Sequence, residues 1–176
     1  MFISRRNLAG GLLLAMLLVG ACGDDDAADV ADGVIEITGI DYGYEGVPEQ
    51  IRAGSSIRLI NASEVEVHEI VAVRLDDAEN RPVSELAGVP PEELGSLLDG
   101  LQTVVVAPPV DSGFVVEGDG TLSQPGRYAF FCLIPTGADP EEYLAAAAEA
   151  AGGPPQVDGG PPHLVAGMYA EVDVVE

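Results

Sequence analysis

The sequence predicts an all-β sandwich. Short runs rich in Val and Ile alternate between apolar and polar residues, which is the period of a strand with one buried face. Glycine and proline separate these runs at short intervals. No long helical pattern stands between consecutive runs in the way that an alternating α/β protein would require.

The strand pattern begins at residue 34 and continues to the end of the chain. Val34 to Thr38 alternates and then breaks at Gly39 and Gly43, as a strand followed by a turn would. Similar runs occupy residues 51–53, 56–61, 68–75, 103–106, 113–116, 126–131 and 168–175. Residues 34–176 form one predicted domain, because a chain of that length suits a single hydrophobic core.

Two helical insertions interrupt the predicted strands. Around residues 84–100, prolines punctuate the chain and precede a short helical pattern that contains glutamates and leucines. A second helix is predicted over 139–151, with Asp139 as N-cap and Pro140 at the first helical position. Alanine-rich sequence carries this helix to a Pro/Gly-rich loop over 153–162.

The N-terminus is typical of a bacterial lipoprotein signal peptide over residues 1–21. Arg5 and Arg6 precede an apolar stretch, 8–19, and small residues that lead to Cys22. The apolar stretch is shorter than the roughly 20 residues that span a bilayer, which disfavours a transmembrane anchor. We expect Cys22 to be lipidated and to become the mature N-terminus.

The export route has two candidate forms. Arg5 and Arg6 partly match a twin-arginine signal, so twin-arginine and ordinary secretory export both stay open. Residues 22–33 are acidic, small and free of aromatics, which predicts a disordered tether between lipid and domain. Either route gives an extracytoplasmic protein that is lipid-anchored to the cell membrane.

The charge of the chain restricts its partners. All 7 basic residues are Arg, and two of them lie in the predicted signal, so the mature chain would carry 30 acidic residues against 5 Arg, a formal charge of −25. Nucleic acid is excluded as a partner, because phosphate binding needs clustered cations. Strong acidity favours a soluble monomer and can steer the protein toward a redox partner with a basic docking face.

Four residues supply every soft or imidazole ligand beyond Cys22: His68, Cys132, His163 and Met168. Taken singly, each is more often a core residue, and Cys132 has no disulfide partner. Together, two imidazoles, one thiolate and one thioether are the ligand set of a mononuclear blue-copper site. A zinc site with one cysteine, two histidines and an open position is the main metal alternative.

In order and spacing, these residues resemble the cupredoxin family, and its bacterial periplasmic branch more than plastocyanin. The matching segments are His68-Glu69-Ile70-Val71, the run Gly126-Arg127-Tyr128-Ala129-Phe130-Phe131-Cys132-Leu133-Ile134-Pro135, and His163 followed after four residues by Met168. The resemblance covers residues 34–176 and implies a Greek-key, cupredoxin-like β-sandwich that holds one copper ion. It also implies that His68 comes from a strand edge and the other three ligands from the loop between the last two strands.

The chain departs from the family within that ligand loop. Related proteins keep the cysteine and the second histidine a few residues apart, whereas 30 residues separate Cys132 from His163 here. Because loop-closure entropy grows slowly with length, so long an insertion is compatible with a closed site. The inserted helix either decorates the surface or caps the copper loop, as a shield or as a docking face.

The favoured function is single-electron transfer by a lipid-anchored mononuclear copper protein. The alternative is copper handling, or a metal-free interaction or structural role on the same fold. We do not expect an enzyme, because copper oxidases and copper nitrite reductases need further histidine-rich centres. Neither histidine lies in a recognised catalytic motif.

Overall fold

The computed structural model describes residues 30–149 and 155–176. The predicted signal peptide, the lipidation site Cys22 and the tether up to residue 29 lie outside the described residues, as do the last residues of the predicted helix over 139–151. Among the residues that are described, no helix combines the length and the apolar character needed to cross a membrane.

The described residues form ten strands. These are β1 (Val34–Ile40), β2 (Gly43–Glu45), β3 (Gln50–Arg52), β4 (Ser55–Asn61), β5 (His68–Arg74), β6 (Leu101–Ala107), β7 (Phe114–Glu117), β8 (Thr121–Leu122), β9 (Gly126–Phe131) and β10 (Tyr169–Val175). One sheet has the order β2-β1-β4-β8 and the other β3-β10-β9-β5-β6-β7. The chain passes between these sheets several times, and the predicted all-β sandwich is confirmed.

The space between the two sheets holds one hydrophobic core. Alternate residues of β1 and β4 are buried, as expected for strands with one face in the core and one in solvent. The core includes buried residues from both sheets: Ile35, Ile37, Leu59, Ile70, Val105, Tyr128, Phe130, Val172 and Val174.

Short helices cover the outer face of the six-stranded sheet. They are α1 (Val83–Leu86), α2 (Pro91–Leu97), which continues into a 3₁₀ turn (Leu98–Gly100), α3 (Pro140–Glu149) and α4 (His163–Ala166). In α3, the Oδ1 atom of Asp139 accepts hydrogen bonds at 3.0 Å from the amides of Glu141 and Glu142, as an N-cap does. The two predicted helical insertions are therefore present.

A second hydrophobic core lies between this outer face and the helices. It combines sheet residues with residues from α1, α3 and the ligand loop: Val71, Val73, Val104, Val106, Ala129, Phe131, Val83, Leu86, Tyr143 and Leu164. Six of the seven residues of β5 are buried, so the alternating solvent exposure predicted for residues 68–75 is wrong. The helices cover the face of β5 that would otherwise meet solvent, so residues on both faces of the strand are buried.

The predicted strand break at Gly39 is also wrong. Strand β1 runs through Gly39 to Ile40, and the turn falls at Asp41 and Tyr42. A Cβ atom at Gly39 would lie 3.3 Å from Cδ2 of His68, so glycine leaves room there for a side chain of the facing sheet. Three short elements, β2, β8 and α4, were not predicted.

The packing of the outer core predicts that shortening a buried side chain of α1 lowers the stability of the protein. Leu86 is fully buried there, so Leu86→Ala should lower the free energy of unfolding by about 2–5 kcal/mol, through lost burial and a residual cavity. Urea denaturation of the metal-free protein measures this. The neighbouring exposed residue provides the control, Glu85→Ala, which should stay within about 0.5 kcal/mol of wild type. Equal stabilities for the two variants would show that α1 does not pack on the sheet.

Candidate metal centre

Three of the four predicted ligands converge at one end of the sandwich. One donor atom each from His68, Cys132 and His163 lies within 4.8 Å of the other two. The Sγ atom of Cys132 and the Nδ1 atom of His163 are 3.3 Å apart, and the centroids of the two imidazole rings are 5.2 Å apart. All three side chains are fully buried, so this cluster is closed to bulk water.

His68 is placed by the strand that carries it. It is the first residue of β5, and the period of two puts its side chain on the same face as Ile70 and Ala72, which belong to the core between the sheets. The opposite wall is β1 at Gly39, where the missing side chain allows the imidazole to approach the backbone. The first predicted ligand therefore lies between the two sheets.

Backbone hydrogen bonds place Cys132 beside the segment that carries the other two ligands. Cys132 directly follows β9, its amide donates to the carbonyl of Met168 at 3.1 Å, and its carbonyl accepts from the amide of Leu164 at 2.8 Å. The amide of Met168 donates to the carbonyl of His163 at 3.1 Å, which closes a tight turn around α4. Gly167 ends that turn with φ of 118°, a left-handed conformation that favours glycine.

Met168, the fourth predicted ligand, is fully buried at the same end of the molecule. It belongs to the same hydrophobic cluster as Cys132 and Leu164, and it precedes the first residue of β10. The structure thus places a thioether side chain next to the histidine and cysteine cluster.

The 30-residue excursion between Cys132 and His163 is closed at its base by a neck, formed by residues 134–136 and 160–163. The amide of His163 donates to the carbonyl of Ile134 at 3.0 Å. The amide and hydroxyl of Thr136 both donate to the carbonyl of Pro161, at 3.1 and 2.7 Å, and the amide of Gly160 donates back to Thr136 at 2.8 Å. His163 therefore returns beside Cys132 despite the length of the insertion.

The insertion also contacts the strand that carries His68. Glu69, the next residue, points to the outer face, where its Oε1 accepts from the amide of Leu133 and its Oε2 from the hydroxyl of Tyr143 in α3, both at 3.0 Å. Burial raises the pKa of Glu69 to about 7, and these two hydrogen bonds oppose that rise. Helix α3 is therefore joined to the ligand strand, unlike a passive surface decoration.

Sequence reasoning missed a carboxylate at this site, that of Glu66. It is 7% exposed, and its oxygens accept hydrogen bonds from the amide of Gly137 and the hydroxyl of Tyr42 at 3.2 Å. One of its oxygens lies 3.4 Å from Nε2 of His163. Glu66 is one of 30 acidic residues, and nothing in its sequence neighbourhood sets it apart.

The electrostatics of the cluster suit a metal ion. Burial lowers the pKa of His68 to about 4, and the nearby His163 is a second cause. Burial also lowers the pKa of His163, although the Glu66 carboxylate acts in the opposite direction. Both imidazoles are therefore neutral at pH 7 and have lone pairs for a metal. Burial raises the pKa of Cys132 well above its usual value, so a metal ion must displace the thiol proton when it binds.

The unpaired atoms in the cluster point to the same conclusion. Both ring nitrogens of His68 are buried without a well-aligned hydrogen-bond partner, whereas the Nε2 atom of His163 faces a carboxylate oxygen of Glu66 at 3.4 Å. Buried polar atoms normally have partners, and a coordinated cation would supply one for an imidazole nitrogen. Two imidazoles, one thiolate and a buried thioether fit one copper ion.

A β-sandwich with this ligand set at one end is the architecture of a cupredoxin, the class that the sequence resembles. No protein-family profile matches the chain, and no curated protein matches it.

The solved structures that are similar to the chain include three auracyanins. The first is a dithionite-reduced auracyanin from the photosynthetic bacterium Roseiflexus castenholzii, with 19% identity over 83% of this chain and 99% of that chain and a TM-score of 0.47. The second is auracyanin A, a "blue" copper protein from the photosynthetic bacterium Chloroflexus aurantiacus, with 16% identity over 82% of this chain and 100% of that chain and a TM-score of 0.46. The third is auracyanin B, with 16% identity over 84% of this chain and 91% of that chain and a TM-score of 0.45.

The contact between α3 and the ligand strand predicts a loss of stability in Tyr143→Phe. The substitution removes a hydrogen bond to the buried carboxylate of Glu69, which should cost about 1–3 kcal/mol in the free energy of unfolding. Denaturation of the metal-free protein measures the cost. Tyr169→Phe, at a half-buried tyrosine of β10, is the matched control and should change stability by less than about 0.5 kcal/mol. If both variants match wild type, the hydrogen bond does not hold the helix in place.

Proposed function

We propose that the protein binds one copper ion through His68, Cys132, His163 and Met168 and transfers single electrons. The observation that carries this proposal is the convergence of three buried donor atoms within 4.8 Å of one another. A thiolate and two imidazoles bind both oxidation states of copper, and a weak thioether tunes the potential. Bound copper would supply the reversible one-electron couple.

The protein itself holds the ligands in fixed positions and excludes water from them. His68 is fixed by β5, Cys132 by the end of β9, and the remaining two ligands by the turn at α4 and the neck. Backbone hydrogen bonds at 2.8–3.1 Å join the segments that carry the last three ligands. Ligands held this firmly move little when the metal changes oxidation state, which lowers the reorganisation that slows electron transfer.

Burial favours electron transfer over the competing functions. Each of the three clustered ligands is fully buried, so a copper ion bound there would have no open position for a substrate. The same burial slows the ligand exchange that a copper-handling protein needs. We therefore assign the site to electron transfer, with neither catalysis nor metal trafficking as its main role.

The charge and the N-terminus extend the proposal to partner and location. A formal charge of −25 after removal of the signal would speed association with a redox protein that has a basic docking face. The lipoprotein-like sequence that ends at Cys22 supports an extracytoplasmic domain, held at the membrane by lipid through the acidic tether. We propose that the domain functions there as a monomer.

Copper loading tests the ligand assignment directly. The wild-type protein with one equivalent of Cu(II) should be intensely blue from thiolate-to-copper charge transfer, and Cys132→Ser should abolish the band because the thiolate is lost. Visible absorption and a reversible one-electron couple in voltammetry are the measurements. The matched control is Met168→Leu, which keeps both imidazoles and the thiolate and should stay blue. A colourless wild-type copper complex would contradict the assignment of Cys132 as a copper ligand.

Lipidation is tested on the full chain expressed in a bacterial host. Labelled palmitate should be incorporated into the wild-type protein and not into Cys22→Ala, because only the Cys22 thiol lies at the predicted processing site. Cys132→Ser removes the other cysteine and should remain labelled. If the wild-type protein stays unlabelled, the lipid anchor is wrong.

A further inference from the structure

We infer that Glu66 is a positioning residue of the metal centre, which holds the remote nitrogen of His163 and biases the bound metal toward its more highly charged state. This inference rests on the proposed copper function. The two nitrogens of the His163 ring face different partners: Nδ1 lies 3.3 Å from the Sγ atom of Cys132, and Nε2 lies 3.4 Å from Oε2 of Glu66. A metal held beside the thiolate would therefore bind Nδ1 and leave Nε2–H facing the carboxylate.

The carboxylate is held in place by two further segments of the chain. The hydroxyl of Tyr42, in the turn between β1 and β2, donates to Glu66 at 3.2 Å, and the amide of Gly137, next to the neck, donates at 3.2 and 3.3 Å. The Tyr42 ring also packs edge-on against His163, with centroids 5.1 Å apart. Glu66 is 7% exposed, so its charge acts on the ring with little screening by water.

A metal bound at Nδ1 of His163 would place a carboxylate, a histidine and a metal in series. A carboxylate on the remote nitrogen fixes the tautomer and orientation of a ligating imidazole and makes it a stronger donor. A fixed negative charge also stabilises Cu(II) more than Cu(I), since the oxidised centre carries the larger positive charge. Glu66 is thus expected to lower the reduction potential of the site.

A purely structural role for Glu66 makes a different prediction. If the carboxylate only accepts hydrogen bonds from the Gly137 amide and the Tyr42 hydroxyl, a glutamine amide oxygen can accept the same hydrogen bonds. Glu66→Gln would then leave the potential unchanged, apart from the general effect of removing one negative charge. Glu64 provides a control for that effect: it is exposed and lies two residues away, so Glu64→Gln changes the net charge equally.

The first measurement is the potential of the copper-loaded protein. Glu66→Gln should lose about tenfold in its preference for Cu(II) over Cu(I), a rise of about 59 mV for a one-electron couple, while Glu64→Gln should shift far less. Glu66→Asp keeps the negative charge, so its reduction potential should be close to that of the wild-type protein. Equal shifts in Glu66→Gln and Glu64→Gln would overturn the inference.

The second measurement needs no copper, so it separates this inference from the proposed function. In the metal-free protein, nitrogen NMR should show the His163 proton on Nε2, and Glu66→Gln should weaken that preference and speed exchange of the proton with water. If the wild-type protein shows this tautomer but does not turn blue with copper, the proposed function fails while the contact stands. A tautomer and exchange rate that are unchanged in Glu66→Gln would show that Glu66 does not position His163.

Discussion

The neck between residues 134–136 and 160–163 determines the geometry of the metal-binding end. Two chain segments separated by the insertion meet there through backbone hydrogen bonds, and Thr136 adds its hydroxyl to the contact. Just beyond the neck, the Leu164 amide reaches the carbonyl of Cys132, so the two ligand segments behave as one short loop. The insertion leaves and returns at almost the same place, and its length has little effect on the position of His163.

The insertion in turn joins the metal end to the outer layer of the protein. Because side chains alternate along a strand, the first residue of β5, His68, faces the core between the sheets, and the second, Glu69, faces the helices. The Glu69 carboxylate then binds both Leu133, next to Cys132, and Tyr143 of α3. One strand end therefore orients a ligand on one face and anchors the inserted helix on the other.

The sequence predicts best what depends on local pattern and on rare residue types. Strand runs, the N-cap at Asp139 and the scarcity of histidine and cysteine are visible in the chain itself. Contacts between segments that are distant in sequence are not visible in it, and they explain which predictions were wrong. Gly39 stays in a strand because it pairs with Tyr44 of β2 and Asn61 of β4, and Glu66 becomes part of the site only when Gly137, 71 residues away, folds against it. Burial of β5 on both faces likewise depends on helices that follow much later in the chain.

The contacts that shape the site do not require a metal. The neck, the turn at α4 and the contacts of Glu66 are hydrogen bonds among protein groups, and they hold the segments that carry the predicted ligands together. Preorganisation has an electrostatic cost, because a buried thiol resists ionisation without a cation beside it. Metal entry must therefore displace the Cys132 proton, and affinity should rise with pH for that reason. The neutral imidazoles add no such requirement, since burial has already removed their protons at pH 7.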